Sequence, residues 1–164
     1  MLAKLKARTS SYLRKLLLGA PLIEGNPERL KLGSGVRLVD ATMNLVSGDI
    51  TVGDHAVFSY GVMVLTGTHE FHAGSRVYLQ LEPRDDGSGV SVEVPTSGRD
   101  IFIGAGCYVG ARAIILGGVS IGDHSIVAAN SVVTKSFPPH SVVAGVPAKK
   151  VGDTRDRVSS LISE

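Results

Sequence analysis

Sulfur and large side chains are scarce in this chain of 164 residues, which has no Trp, one Cys and only 5% aromatic residues. The lone Cys107 excludes an internal disulfide and any zinc site built from cysteines. No apolar run reaches the ~18–20 residues of a transmembrane helix, and Leu16–Leu18 is too short for the apolar region of a secretory signal. We therefore expect a cytoplasmic protein. The basic residues of the body form no long stripe, so no nucleic-acid partner is expected.

Acidic residues are absent from the first 20 residues, which carry five Lys and Arg side chains. The remainder has 12 basic and 15 acidic residues. The net charge of +2 is therefore the sum of a basic segment over residues 1–20 and a mildly acidic segment over residues 21–164. Leucines recur there near helical spacing, and we predict a basic amphipathic helix over residues 1–20. We expect it to pack on the domain or on a neighbouring subunit. The alternative is a weak contact of residues 1–18 with the inner face of a membrane.

Glycine and aliphatic residues are abundant, since the chain has 20 Gly and 43% of its residues are hydrophobic. From Ile103 onward they repeat every six positions, with Ile or Val first, Gly or Ala usually second, and a small or apolar residue fifth. The first positions are Ile103, Val109, Ile115, Ile121, Val127 and Val133, and an earlier run begins hexads at Val52, Phe58 and Val64. Leu32 and Leu38 begin a looser pair, and residues 44–51 break the count.

A six-residue period predicts a short strand followed by a sharp bend, because β-branched residues favour strands and small residues fit tight corners. Three such units close a triangular coil, and successive coils stack at the strand spacing of ~4.8 Å. Position one should then point into the prism. A helix is excluded, since the apolar residues recur at six rather than 3.6 positions. The fold class is therefore an all-β solenoid over residues 21–151, followed by a tail at 152–164.

The repeat stops at His69 and resumes near Ile101. We predict that residues 70–100 form a long loop inserted at a corner of the solenoid, where stacking can continue around it. Structureless connections beyond ~12–15 residues are usually functional or disordered. The runs Val77–Leu81 and Val90–Val94 could form strands, which favours a functional loop.

His69 is the candidate catalytic residue, because one positioned imidazole can act as a general base near neutral pH. It stands where a rigid coil meets a loop, in the segment Leu65–Phe71. The neighbouring carboxylate of Glu70 could orient the ring, as could a backbone carbonyl. His55 and His124 occupy fourth hexad positions and should face solvent.

Two segments resemble the hexapeptide-repeat O-acetyltransferases, among them the maltose, galactoside, nodulation-factor and colanic-acid-type enzymes. Gly67-Thr68-His69 before a long loop is similar to their catalytic-histidine segment, and Val133 through Lys149 is similar to their closing segment. The resemblance covers about residues 32–151. It implies a left-handed parallel β-helix and a homotrimer with sites between subunits. It also implies direct transfer of acetyl from acetyl-coenzyme A to a hydroxyl of a sugar or glycan precursor, with no metal required.

The resemblance implies roles for individual residues. His69 matches the general base, while Cys107 lies at an inward position and is not expected to carry an acyl group. Residues expected at the acceptor are Tyr60, Glu70 and Phe71. Residues expected at coenzyme A are Tyr108, Ala111, Ala129, Thr134, Lys135 and Lys149. Three of them depart from the family pattern, because Tyr60 replaces an Asn, Tyr108 a Trp and Lys149 an Arg.

Other functions share this fold. One alternative is an acetyltransferase that modifies xenobiotics or antibiotics, or the amino group of a sugar. A second is a γ-class carbonic anhydrase, for which His69 and His72 are available zinc ligands. A third is a trimeric scaffold without catalysis, which the intact Gly-Thr-His segment disfavours.

Overall fold

The computed structural model describes residues 20–67 and 98–156, together with the backbone of residues 71–72 and 75–76. Short strands dominate these residues, and a 3-10 turn at Pro27–Arg29 follows the first of them. The strands are β1 (Leu22–Gly25), β2 (Leu30–Leu32), β3 (Thr42–Leu45), β4 (Ile50–Val52), β5 (Val57–Phe58), β6 (Met63–Leu65), β7 (Phe71–His72), β8 (Ser75–Arg76), β9 (Ile101–Ile103), β10 (Tyr108–Val109), β11 (Ile114–Leu116), β12 (Ser120–Ile121), β13 (Ile126–Val127), β14 (Val132–Val133), β15 (Ser141–Gly145) and β16 (Ala148–Asp153).

The strands form three flat faces of one prism. Face A contains β1, β3, β6, β11 and β14 in that order, face B contains β2, β4, β9 and β12, and face C contains β5, β10, β13, β15 and β16. The chain visits B, C and A in turn, and the strands of these three faces pair in parallel with their equivalents in the next coil, except β16. The predicted solenoid is confirmed as a parallel β-helix. We name its edges the B/C, C/A and A/B corners, in chain order.

The interior of the prism is filled by the first and fifth positions of the hexads. All first positions from Val52 to Val64 and from Ile103 to Val133 are buried, as the repeat predicts. The fifth positions are buried as well, namely Cys107, Ala113, Val119, Ser125, Ser131 and Phe137. Equivalent residues stack in register, so Val52 lies beside Ile103 and Ile103 beside Ile121. Each coil therefore buries its apolar side chains against the coils above and below.

The B/C corner shows why glycine recurs in this sequence. One residue per coil there has a positive φ, and these residues are Gly35, His55, Gly106, His124 and His140. A Cβ on Gly106 would lie 2.6 Å from Nδ1 of His124, so glycine leaves room for the ring stacked on it. The rings of His124 and His140 stack at 5.4 Å. His55 and His124 are exposed, as predicted.

The carboxyl end of the prism is closed by a strand of opposite direction. β16 pairs antiparallel with β15, bringing Lys149 opposite Ala144, and it ends at Asp153. An antiparallel cover of this kind protects a sheet edge from further pairing. Residues 154–156 form a 3-10 turn.

The inserted segment begins after Gly67 and ends before Gly98, and inside it β7 and β8 form an antiparallel pair with Phe71 opposite Arg76. The predicted strands at Val77–Leu81 and Val90–Val94 lie outside the described residues. So do the predicted helix up to residue 19 and the tail from residue 157. No helix within residues 20–67 and 98–156 has the length and apolar character needed to cross a membrane.

The inward row should dominate stability. Replacing the fully buried Ile103 by Ala is expected to lower the free energy of unfolding by about 2–5 kcal/mol, because it leaves a cavity in a packed interior. Phe102 is its neighbour on the outer face and is 43% exposed. Phe102→Ala should cost about 1 kcal/mol or less. Urea unfolding of both variants measures the difference, and equal losses would contradict the inward assignment.

Candidate functional site

The A/B corner fixes the point at which the inserted segment leaves β6. Oγ1 of the buried Thr66 accepts a hydrogen bond from the Ser47 N–H at 3.0 Å and donates one to the Asn44 carbonyl at 2.8 Å. The Gly67 N–H donates to Oδ1 of Asn44 at 3.0 Å, and Asn44 Nδ2 donates to Glu24. The backbone before the predicted base is therefore held by side-chain hydrogen bonds as well as by strand pairing.

The inserted segment returns to the same corner. A Cβ on Gly48 would lie 2.5 Å from the Arg99 carbonyl carbon, so these two backbones are in close contact. The Asp49 N–H donates to Oδ1 of Asp100 at 2.8 Å. The side chain of Arg99 packs over Gly117 in the next coil, where a Cβ would lie 3.0 Å from Nε. Both ends of the insertion are thus anchored at one corner.

A groove of about 380 Å³ lies at the C/A corner. Its rim is fixed by the Gly61 N–H, which donates to Oδ1 of Asp40 at 2.6 Å. Arg112 and Asn130 both adopt a positive φ of 58° in successive coils, which turns the chain sharply there. The residues that line the groove are Asp40, Tyr60, Gly61, Ala111, Arg112 and Asn130. They offer one carboxylate, one guanidinium, an amide and an exposed phenol.

Two of the predicted site residues, Tyr60 and Ala111, line this groove. Ala129 lies one coil above Ala111 at the same corner, since its amide nitrogen would be 2.5 Å from a Cβ on Gly110. Tyr108 lies instead on the outer side of face C, in register with Val57 and Ile126.

The other predicted contacts lie elsewhere. Thr134 and Lys135 follow β14 near the A/B corner, and the Lys135 ammonium is 5.7 Å from the centre of the Phe137 ring. Lys149 is exposed on β16. His69 and Glu70 lie outside the described residues, and only the backbone of Phe71 is described, in β7. The structure therefore distributes the predicted residues that it describes over the C/A corner, the A/B corner and face C, and does not bring them into one cavity.

Face A lies between the groove and the insertion. Its outer surface is aliphatic from β6 to β14, with Met63 42% exposed and four partly buried neighbours, Leu65, Ile114, Leu116 and Val132. In β3 the equivalent outer positions are the polar Thr42 and Asn44. Face B carries Lys31, Thr51 and Ser120 at its equivalent outer positions, with Phe102 among them. Because β6 crosses face A in three residues, the groove and the insertion are separated by about 10 Å along the strand.

The sequence analysis missed four polar residues that shape these corners. Arg112 and Asn130 both occupy fourth hexad positions 18 residues apart, so their stacking at one corner was readable from the repeat. The contact between Asn44 and Thr66 was not predicted by the repeat, because the longer connection between β3 and β4 interrupts the six-residue spacing.

Cys107 and the histidines were the candidates for cysteine and metal chemistry. Burial raises the pKa of the Cys107 thiol, and its Sγ lies 3.3 Å from the Gly122 carbonyl oxygen. It is therefore a neutral interior thiol at physiological pH. Within residues 20–67 and 98–156 no three His, Cys, Asp or Glu side chains converge on a point. The candidate zinc ligands His69 and His72 fall outside the side chains that the structure describes.

Comparison with known proteins gives a family match over the regular hexads. Residues 100–135 match the model described as "Bacterial transferase hexapeptide (six repeats)". The galactoside O-acetyltransferase of Escherichia coli (strain K12) is 32% identical over 120 residues, which are 71% of this chain and 52% of that protein. Serine acetyltransferase 2 of Arabidopsis thaliana is 33% identical over 131 residues, which are 80% of this chain and 33% of that protein.

A solved structure shares the fold over most of the chain. The galactoside acetyltransferase in complex with coenzyme A superimposes with a TM-score of 0.63 at 26% identity, covering 87% of this chain and 64% of that one. The chain spans about half the length of the galactoside enzyme and a third of the serine enzyme.

The Thr66 hydroxyl should matter more than its size suggests. Thr66→Val keeps the shape but leaves the Ser47 N–H without its acceptor, and we expect a loss of about 1–3 kcal/mol in the free energy of unfolding. Thr51→Val is the matched control, because Thr51 lies on the outer side of face B, and it should be nearly neutral. Thermal or urea unfolding of both variants tests this, and an equally mild Thr66→Val would show that the corner bonds contribute little.

Proposed function

We propose that the chain is a member of the hexapeptide-repeat family of bacterial transferases and that it transfers acetyl from acetyl-coenzyme A to a hydroxyl of a sugar or glycan precursor. The observation that carries this proposal is the corner at Asn44 and Thr66, which fixes the backbone two residues before His69. The named activity of the galactoside O-acetyltransferase favours a hydroxyl acceptor over an amine. This reaction places the protein in the cytoplasm, where acetyl-coenzyme A is available.

His69 acts as the general base in this reaction. Its imidazole takes the proton of the acceptor hydroxyl while the oxygen attacks the thioester carbonyl carbon. The carbon–sulfur bond then breaks, and the leaving thiolate takes the proton back from the imidazolium. Two residues of chain reach at most ~7 Å, so the anchored Gly67 restricts where the base can lie. A backbone N–H that stabilises the tetrahedral oxyanion contributes ~10²–10³ in rate.

Coenzyme A lies along the outside of the prism. The corner backbone at Ala111 and Ala129 lines a path for the pantetheine arm, and the exposed Tyr108 is available to flank the cofactor. Lys135 and Lys149 are exposed, and neither has a carboxylate partner among the described residues. They are therefore free to meet phosphate groups. Thr134 lies beside Lys135 and can add a hydroxyl donor.

The site is completed by a second protomer. The groove and the insertion lie at opposite edges of face A, whose aliphatic surface is of the kind that packs against a partner. Packing face A of one copy against a neighbour closes a cleft between the two corners. We infer a homotrimer with three such clefts, built on the left-handed coil that the family resemblance implies.

Loss of the base tests the mechanism directly. His69→Ala should reduce acetyl transfer by about 10²–10⁴-fold, because no other group takes the hydroxyl proton, while acetyl-coenzyme A still binds. His55→Asn is the matched control, since His55 is an exposed corner residue at φ 57° and Asn tolerates that conformation. Thiol release and calorimetric binding of acetyl-coenzyme A measure the two effects. Near-normal turnover of the His69→Ala protein would refute the assignment.

A charge on face A should separate the protomers. Ile114→Glu places a carboxylate at the centre of the aliphatic surface, and we expect monomers and a loss of at least about tenfold in activity. Ser120→Glu puts the same charge on the outer side of face B and should leave both unchanged. Light scattering after size exclusion reports the mass. A trimer that survives Ile114→Glu would place the subunit contact on another face.

A further inference from the structure

The end of the prism at its first coil leaves inward side chains uncovered. Ile23 on β1 lies in register with Met43, and Leu32 on β2 lies in register with Val52. Met43 and Val52 are at most 1% exposed, whereas Ile23 is 40% and Leu32 46% exposed. Among residues 20–67 and 98–156 no strand pairs with the far sides of β1 and β2, which explains the difference. We name this surface the open end, and its apolar residues are Ile23, Leu30, Leu32 and Val36.

The opposite end of the prism is covered. Its inward residues are at most 7% exposed, namely Val133, Phe137, Val143 and Ala148. There the chain turns back and adds the antiparallel β16 to face C. Stacked-repeat folds need a cap on each terminal repeat, because that repeat lacks a neighbour on one side. The open end is therefore the place that the described residues leave without a cap.

The segment that precedes β1 joins the prism at the rim of the open end. The Leu22 N–H donates to the Ala41 carbonyl oxygen at 2.9 Å, which fixes the chain at the C/A corner of the first coil. Residue 19 is three positions earlier, and three residues of chain reach at most ~11 Å. The inserted segment leaves instead from β6, which β3 separates from β1 by about 10 Å of sheet. Residues 1–19 are therefore the nearer candidate to cover the open end.

Residues 1–19 have the sequence pattern of a helix with one apolar side. The leucines near helical spacing are Leu2, Leu5, Leu13, Leu16 and Leu17. At about 100° per residue, Lys4, Arg8 and Lys15 fall on the opposite side. Gly19 and Pro21 follow the last leucine, as is typical of the end of a helix. An apolar side of this kind needs an apolar surface to pack against.

The dimensions of such a helix match the open end. One side of the prism contains six residues and is at most ~20 Å long. A helix of about 12 residues is ~18 Å long and about 10 Å wide with its side chains. A single helix across the triangular end can therefore cover the inward residues of both β1 and β2.

We propose that residues 1–19 form an amphipathic helix that closes the open end of their own protomer, with the leucines packed on Ile23 and Leu32. The interaction removes two apolar surfaces from water at once. It also covers the outer edges of β1 and β2, which could otherwise pair with another chain. The short connection at Leu22 favours the open end of the same protomer over that of a neighbour. This inference does not depend on the proposed acetyl transfer.

Photo-crosslinking from the open end tests the contact. A benzophenone maleimide is attached to Leu32→Cys in the full chain, where Cys107 is too buried to compete for the label. Illumination should capture a peptide from residues 1–19 and leave the product at the monomer mass on a denaturing gel. Phe102→Cys is the matched control on the outer side of face B, and it should not capture that peptide. Capture of residues 68–97 instead, or a covalent dimer through residues 1–19 of a partner, would overturn the proposal.

Amide hydrogen exchange of the full chain supplies a second test. Within residues 1–19 we expect amides that exchange at least about 10-fold more slowly than in an unstructured chain. Leu16→Asp puts a carboxylate on the apolar side and should abolish this protection. Lys15→Asp makes the same change on the opposite side and should keep most of it. The amides of β10 and β13 should stay protected in both variants, which shows that the prism is intact. Unprotected amides in the native protein, or equal effects of the two variants, would contradict the cap.

Two other occupants of the apolar surfaces give different results. If residues 1–19 bind a membrane instead, the native protein should float with vesicles of phosphatidylglycerol and phosphatidylcholine, whereas the cap predicts that it stays unbound. If the open end instead packs against the open end of a second copy, Leu32→Asp should halve the mass measured by light scattering. The cap predicts that this mass is unchanged, so flotation or a halved mass would overturn it.

Discussion

The whole architecture depends on one constraint, that each side of the coil must turn within six residues and return in register with the coil below. Backbone hydrogen bonds between coils are satisfied only in that register. The interior then admits one row of aliphatic side chains and one row of small ones, and each corner needs a residue that leaves room for its neighbour. Gly106 beneath His124 shows this directly, because any Cβ would meet the ring. The scarcity of aromatics and the abundance of glycine both follow from it.

The same register explains how a long insertion is tolerated. β6 on one side and β9 on the other still pair with the coils around them, so the interruption costs the solenoid little. Both ends are tied at one corner, through Thr66 to Asn44 and through Asp100 to Asp49. Functional groups can therefore accumulate at corners and in the insertion, where side chains do not serve the core. The paired strands of the prism form the rigid framework, and the side chains at its corners are available for binding and catalysis.

The sequence predicts the features whose positions follow the six-residue repeat. It does not predict side-chain contacts between residues of neighbouring coils when their spacing departs from that repeat. The inward rows, the exposed corner histidines and the position of the insertion were all readable, because each follows from spacing along the chain. The groove partners Asp40 and Gly61 are 21 residues apart, since the connection after β3 is longer than a hexad allows. Because a coil of three hexads has 18 residues, the repeat does not predict that these two residues are in contact. The sequence also does not predict that the buried Nε of Arg99 lacks a hydrogen-bond partner among the described residues, because this depends on three-dimensional packing.

The two edges of face A present different groups to the proposed cleft. One edge holds the groove, whose lining includes the carboxylate of Asp40, the guanidinium of Arg112 and corner backbone suited to an extended thioester arm. The other edge holds the anchored backbone at Gly67, two residues before His69, and the buried Nε of Arg99, which has no hydrogen-bond partner among the described residues. Within one protomer the two edges are separated by the length of β6. When face A packs against a second protomer, an edge of one protomer can lie opposite an edge of the other. In the proposed reaction, donor and acceptor would then approach from opposite sides of that cleft and meet near the anchored backbone that precedes His69.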